Sequence, residues 1–164
     1  MPRKYYKRYH NKDKYSVEQT IYESPTVDNW TAITNGLQWS IQVVPPVETE
    51  GMRKVKHLTM TFANYRTGSD QDAYPIFYAL VYCPQGYDPN NLNLPTLNTA
   101  FNLYEPNQFV LSSGVLDFSG GPLRIRTPLA RNLNSGDKIV MCLGTTNTSN
   151  QRIYGEVKYA ITLQ

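Results

Sequence analysis

Apolar and polar positions alternate along this chain with a period of two, and turn residues divide it into eight segments, the signature of half-buried strands. The first segment is Ser16–Glu23, where Val17 and Ile21 share a face. In the second, Gly36–Val44, Leu37, Trp39, Ile41 and Val43 point one way and Gln38, Ser40 and Gln42 the other. Pro45 and Pro46 end it, since proline cannot donate to a ladder. The third, Arg53–Ala63, turns Leu58, Met60 and Phe62 inward and His57, Thr59 and Thr61 outward. The fourth, Pro75–Cys83, is apolar on both faces. The fifth is Asn107–Phe118, with a break expected at Ser112–Gly114. Gly120, Gly121 and Pro122 turn the chain into the sixth, Leu123–Leu129, where Leu123 and Ile125 alternate with Arg124 and Arg126. The seventh, Asp137–Gly144, is again apolar on both faces. In the eighth, Arg152–Leu163, Val157, Tyr159, Ile161 and Leu163 face inward and Glu156, Lys158 and Thr162 outward.

No segment carries a helical apolar stripe of ten or more residues, so the reading is all-β. Eight strands at this spacing predict a single antiparallel jelly roll. Lettered B to I, its strands form two sheets, B-I-D-G and C-H-E-F. E and H are then the middle strands of one sheet, and they coincide with the two segments that are apolar on both faces. The 23-residue stretch Pro84–Pro106 falls between strands E and F, long for a compact domain, and is expected to pack on neighbouring molecules. Ala130–Gly136 reads as a loop.

Composition agrees with this picture. The chain has 164 residues, enough for one domain with a real core. Charged residues make up 18% and aromatic residues 12%, with 13 Tyr, the balance of a β-rich chain with interface-forming rings.

Charge is unevenly placed. Within 1–14, Arg3, Lys4, Lys7, Arg8, Lys12 and Lys14 stand against Asp13, a net +5. The other 150 residues carry 10 basic and 12 acidic side chains, a net −2. The leader also interleaves Tyr5, Tyr6, Tyr9 and His10, and has no residues able to form a core, so it is expected to be disordered or extended on its own. Lys and Arg bind phosphate regardless of sequence, and rings stack on the bases of single strands. Residues 1–14 therefore read as a basic arm and 15–164 as the body. The arm also reads as a nuclear import signal or a solubility tail, roles that are not exclusive.

Other chemistry is thinly represented. Cys83 and Cys142 share no metal-ligand spacing with each other or with histidine, and both are expected to be reduced. A jelly-roll metalloenzyme needs a histidine cluster, whereas His10 and His57 are the only two histidines. Ser113-Gly114 lacks the nucleophile-elbow pattern, and Asp70 and Asp72 lie in a solvated loop pattern. No enzyme, metal or cofactor is predicted. The N-terminus is charged and shows no secretory apolar run, and no stretch approaches the roughly 18 apolar residues of a membrane-spanning helix.

Two stretches of wording are distinctive. One is Leu103-Tyr104-Glu105-Pro106-Asn107-Gln108-Phe109-Val110-Leu111-Ser112-Ser113-Gly114. The other is Pro122-Leu123-Arg124-Ile125-Arg126-Thr127-Pro128-Leu129-Ala130-Arg131-Asn132-Leu133-Asn134-Ser135-Gly136-Asp137. Both resemble capsid proteins of small circular single-stranded DNA viruses that encode a replication initiator, the circovirus-like group. The resemblance implies a T=1 icosahedral shell of 60 identical subunits, with residues 15–164 as the shell domain. It also implies an arm facing packaged DNA, and assembly in or near the host nucleus. This arm is shorter and richer in Lys and Tyr than is typical of the group.

The expected nucleic-acid contacts are Arg3, Lys4, Tyr5, Tyr6, Lys7, Arg8, Tyr9, Lys12 and Lys14 of the arm, with Arg124 and Arg126 of the wall. If the B-I-D-G sheet faces the lumen, its outward side chains are expected to include Arg53, His57, Arg124, Arg126 and Lys158. Exposed rings such as Tyr65, Tyr74, Tyr87 and Tyr104 are candidates for subunit contacts, and Trp30 and Trp39 for the core. The alternative reading is a non-enzymatic carbohydrate- or receptor-binding jelly roll. It accounts for aromatic loops but not for the basic arm.

Overall fold

Antiparallel pairing between strands far apart in sequence dominates the computed structural model, which describes residues 15–24, 31–33, 36–48, 51–66, 76–87, 89, 109–116, 123–127, 130–145 and 151–163. Ten strands are described. They are β1 (Ser16–Glu23), β2 (Thr31–Ile33), β3 (Gly36–Val44), β4 (Arg53–Arg66), β5 (Ile76–Cys83), β6 (Phe109–Leu116), β7 (Leu123–Arg126), β8 (Ala130–Leu133), β9 (Lys138–Thr145) and β10 (Gln151–Leu163). One sheet has the order β1-β10-β4-β7, with β8 also paired to β4; the other has the order β2-β3-β9-β5-β6. The fold is all-β and jelly-roll-like. With β2 and β8 set aside, the two orders are those of B-I-D-G and C-H-E-F.

The two extra strands correct the eight-strand count. β2 adds an edge beside β3. β8 forms inside the stretch that reads as the loop Ala130–Gly136 and pairs with the first four residues of β4. The sixth segment accordingly stops at Arg126, and the Thr127 N–H donates to the Leu58 carbonyl (2.9 Å) where the chain leaves the ladder. One long β4 thus takes two short partners in turn, β8 on its first turn of ladder and β7 further along.

The core lies between the sheets. Val55, Leu58, Met60, Phe62, Ile153 and Val157 from one sheet meet Ile41, Val43, Ile76, Leu80, Ile139, Met141 and Leu143 from the other, all buried. Leu37 and Trp39 pack against this cluster as their alternation predicts. β5 and β9, the centre of the second sheet, bury their other face too: Ala79, Val81, Cys83, Val140 and Cys142 form a second cluster capped by Tyr87. The Cys142 thiol also approaches the Pro89 carbonyl (3.8 Å). The described beginning of the Pro84–Pro106 stretch therefore folds back on its own sheet, with Tyr87 serving as its cover. Cys83 and Cys142 are buried thiols that are not joined in a disulfide. Cys142 pairs with Ala79, four residues along β5 from Cys83, or about 13 Å at strand rise, which is too far for a disulfide.

Tight contact fixes the centre of the first sheet. Gly155 stands opposite Phe62 in the β10–β4 register. A Cβ on Gly155 would come within 2.5 Å of Phe62 Cε1. The ring lies over the glycine because no side chain stands there, and Phe62 itself is fully buried and has nowhere to retreat.

Polar groups tie the sheets together at one end. Arg53 of β4 is buried at 4% exposure and points inward, not outward as alternation from His57 predicts. Its Nη1 donates to the Pro45 carbonyl (3.0 Å) and its Nη2 to the Asp137 carbonyl (2.8 Å). The Asp137 carboxylate accepts from the Tyr82 hydroxyl (2.6 Å), the Asn134 N–H (2.8 Å) and the Gln85 N–H (3.2 Å). Arg131 of β8 reaches across to stack its guanidinium 4.5 Å from the Tyr82 ring centroid and 5.5 Å from that of Phe109. Gly136 makes the turn before Asp137 with φ of 77°, a conformation that costs other residues strain. Burial, reinforced by the bond to Asp137, raises the Tyr82 phenol to about 12.

Two outcomes are expected. Gly155→Ala should lower unfolding stability by about 1–3 kcal/mol in chemical denaturation, through the overpacking forced at Phe62. The native state holds the Tyr82 proton to about pH 12, whereas an unfolded tyrosine loses it near 10. The stabilisation is therefore complete below pH 10 and disappears as pH rises through 12. Tyr82→Phe should be less stable at neutral pH by about 1 kcal/mol, yet lose stability less steeply than the native chain across that window.

Candidate nucleic-acid interface

The outward face of the first sheet is built by alternation with one irregularity. On β10, Lys158 pairs with Thr59 of β4, but Ala160 pairs with Lys56. Two β4 residues, His57 and Leu58, thus oppose the single residue Tyr159, a β-bulge. His57, the first of the two, takes a left-handed backbone with φ of 56°, the conformation of one class of bulge. The bulge reverses the phase of β4. Beyond it, even-numbered Leu58, Met60 and Phe62 face the core; before it, odd-numbered Arg53 and Val55 do.

This reversal sets the charge of the face. Lys54 and Lys56 turn outward before the bulge, and Thr59 and Thr61 after it. β7 then places Arg126 beside Thr59 and Arg124 beside Thr61, both arginines exposed, with Ile125 turned inward opposite Met60. β8 adds the outward Ala130 and Asn132 next to Lys56 and Lys54. No Asp or Glu occurs anywhere in β4, β7 or β8. Lys54, Lys56, Arg124 and Arg126 have no ion pair among the described residues.

The other half of the same face is different. On β1 and β10, Lys158 pairs with Glu156 (2.9 Å), which also accepts from the Gln19 amide (2.6 Å). Arg152 pairs with Glu23 (3.0 Å), which also accepts from the Tyr154 hydroxyl (3.0 Å). Those cations already have carboxylate partners, worth little to stability at an exposed surface but enough to quench the local field. The face is therefore divided: acid-free and cationic over β4, β7 and β8, self-neutralised over β1 and β10.

Tyr15, the first described residue, meets this face. The Lys56 ammonium lies 4.5 Å from the centroid of the Tyr15 ring, a cation–π contact. Arg3, Lys4, Tyr5, Tyr6, Lys7, Arg8, Tyr9, Lys12 and Lys14 lie outside the described residues.

Of the wall residues expected from sequence, Arg124 and Arg126 stand exposed side by side on β7, His57 is exposed at the bulge, and Lys158 is exposed but paired with Glu156. Arg53 is not part of the face; the bulge turns it into the interior. The bulge equally explains why simple alternation passes over Lys54 and Lys56. The readable signal for them is compositional: fourteen consecutive residues of β4 without one acid. Among the described residues, no group of three or more His, Cys, Asp or Glu is placed to hold a metal.

Fold and face together define the class: a jelly-roll-like antiparallel sandwich with one cationic half-face, over which Tyr15 lies against Lys56. No model of a known protein family matches the sequence, and no curated protein matches it.

Proposed function

We propose that the chain is a viral coat protein that assembles with copies of itself into a closed T=1 shell and packages circular single-stranded DNA. The observation that carries this reading is the acid-free surface of β4, β7 and β8, with Lys54, Lys56, Arg124 and Arg126 outward and Tyr15, the residue that follows the basic arm 1–14 in sequence, over Lys56. Both cationic elements, the sheet surface and residues 1–14, supply phosphate contacts in this reading. The distinctive wording at 103–114 and 122–137 supports the same assignment by its resemblance to circovirus-like capsid proteins.

The mechanism is multiplication of weak charge. An arm of +5 in on the order of 60 copies supplies roughly +300 inside one particle. Tethered arms engage one polymer at high effective concentration, so each contact can be weak while the sum is not. The sheet cations add phosphate contacts to those of the arm, and arm tyrosines supply rings for stacking on unpaired bases. In this reading the protein acts in the virion, and in the host nucleus during assembly.

Electron microscopy of purified protein should show closed particles of one size; monomers or small oligomers alone would instead favour the carbohydrate- or receptor-binding module. Arg124→Glu with Arg126→Glu should leave particle formation intact and lower the nucleic acid recovered per particle. The neutral pair Arg124→Gln and Arg126→Gln should reduce the salt dependence of single-strand binding by a log–log slope of about 1.4, at about 0.7 per phosphate contact. Unchanged packaging in intact particles would remove the wall from the mechanism.

A further inference from the structure

β1 is an unusual edge. Among the described residues it pairs with β10 alone, in a register without a shift from Ser16 to Glu23. Both large aliphatic side chains on its outward face are exposed, Val17 at 73% and Ile21 at 75%. Proteins guard such edges with charged side chains, lysine above all, or with proline, a bulge or brevity; the charges of β1 are Glu18 and Glu23. β2 is three residues long, β7 four, and β6 pairs through a register shift at Leu80 and Val81. β1 has eight residues and no Lys, Arg, Pro or Gly.

The hydrogen-bond phase says which groups face the open side. The Ser24 N–H donates to the Ile153 carbonyl (2.8 Å), continuing the β1–β10 register. In an antiparallel ladder the N–H and C=O of one residue point to the same side, and the side alternates along the strand. Even-numbered positions of β1 therefore bond to β10, and Val17, Gln19, Ile21 and Glu23 direct theirs to the open edge.

We infer that β1 pairs with β1 of a second copy of this chain, antiparallel about a two-fold axis through Gln19, making one continuous sheet across two subunits. This goes beyond the proposed packaging role and does not require a closed shell. Only registers that place odd residues opposite odd residues satisfy the open edge, which leaves axes at Glu18, Gln19 or Thr20 near the strand centre. An axis at Glu18 sets that carboxylate against its own copy, a destabilising like-charge pair. An axis at Thr20 sets Val17 against Glu23. An axis at Gln19 sets Val17 against Ile21 twice, Glu18 against Thr20, and Glu23 against Tyr15. The strand is self-complementary in that register alone, which selects a second copy as the occupant.

Cysteine cross-linking reads the register directly. In a hydrogen-bonded antiparallel pair the two Cα atoms at position 19 lie about 5.5 Å apart, within disulfide reach. Two copies of position 17 lie about 13 Å apart at strand rise. The native thiols Cys83 and Cys142 are buried and do not compete. Under mild oxidation of the full chain, Gln19→Cys should give covalent dimer and Val17→Cys should not, while Val17→Cys with Ile21→Cys together should restore it. Val17→Lys with Ile21→Lys should keep the circular dichroism of the native fold and weaken self-association, in sedimentation, at least about tenfold. The inference is overturned if Gln19→Cys cross-links no more than Val17→Cys, or if the lysine pair associates like the native chain. Particles without the Gln19 cross-link would sink this contact and leave the coat reading standing; the cross-linked dimer without particles would do the reverse.

Discussion

One extra residue in β4 governs how this molecule divides inside from outside. A regular strand through 53–66 would keep a single phase, and holding Leu58, Met60 and Phe62 in the core would then expose Val55 and Arg53 and bury Lys54 and Lys56. Burying two unpaired ammonium groups is far costlier than the strain of one left-handed residue. The bulge at His57 and Leu58 resolves the conflict. Val55 and Leu58 both reach the core, Lys54 and Lys56 both reach solvent, and Arg53 is delivered to the carbonyls of Pro45 and Asp137. The cationic surface and the polar tie between the sheets are two consequences of the same insertion.

That tie explains why an arginine is tolerated in so dry a place. Arg53 donates to carbonyls from the connection after β3 and from the turn before β9, so it joins its own sheet to the other. Asp137 collects its donors from Tyr82 on β5 and from the backbone of Gln85 and Asn134. Arg131, lying over the rings of Tyr82 and Phe109, brings β8, β5 and β6 to the same point. Apolar packing is non-directional and tolerates sliding of one sheet over the other. Bonds at one end of the sandwich remove that freedom.

Much of the fold was legible because its strands obey a strict period. The double-faced apolarity of Pro75–Cys83 and Asp137–Gly144 marked the central strands β5 and β9, and the alternation of Leu123, Ile125, Arg124 and Arg126 placed β7 correctly. The failures share a cause. A period-two pattern carries no information about where a residue has been inserted, so it puts Arg53 on the wrong face and gives no sign of Lys54 and Lys56. β8 leaves no pattern in the sequence because Ala130–Leu133 has too few apolar positions to alternate; its pairing comes from β4 being long enough to take a second partner. Val17 and Ile21 do share a face, but it is the solvent face, and Tyr22 carries the packing, with its hydroxyl donating to the Gln42 carbonyl (3.0 Å). In the candidate site, Arg124 and Arg126 were readable as exposed cations. Their neighbours were not, because nearness across strands is set by register.

Strand order gives the divided charge of the face a geometric meaning. If two copies join through β1, the continuous sheet runs β7-β4-β10-β1 and then the same order reversed in the second copy. Five strand spacings of about 4.8 Å separate the two β4 strands, or about 24 Å. That exceeds the Debye length of about 8 Å at physiological salt, so the two cationic tracks are electrostatically independent. Between them lie β1 and β10 of both copies, where Glu23 and Glu156 already occupy Arg152 and Lys158. A single strand of nucleic acid lying along one track gains nothing from crossing to the other over this neutral ground. The ion pairs Arg152–Glu23 and Lys158–Glu156 leave no net charge of their own beside the joint, and Lys54, Lys56, Arg124 and Arg126 stand at the flanks.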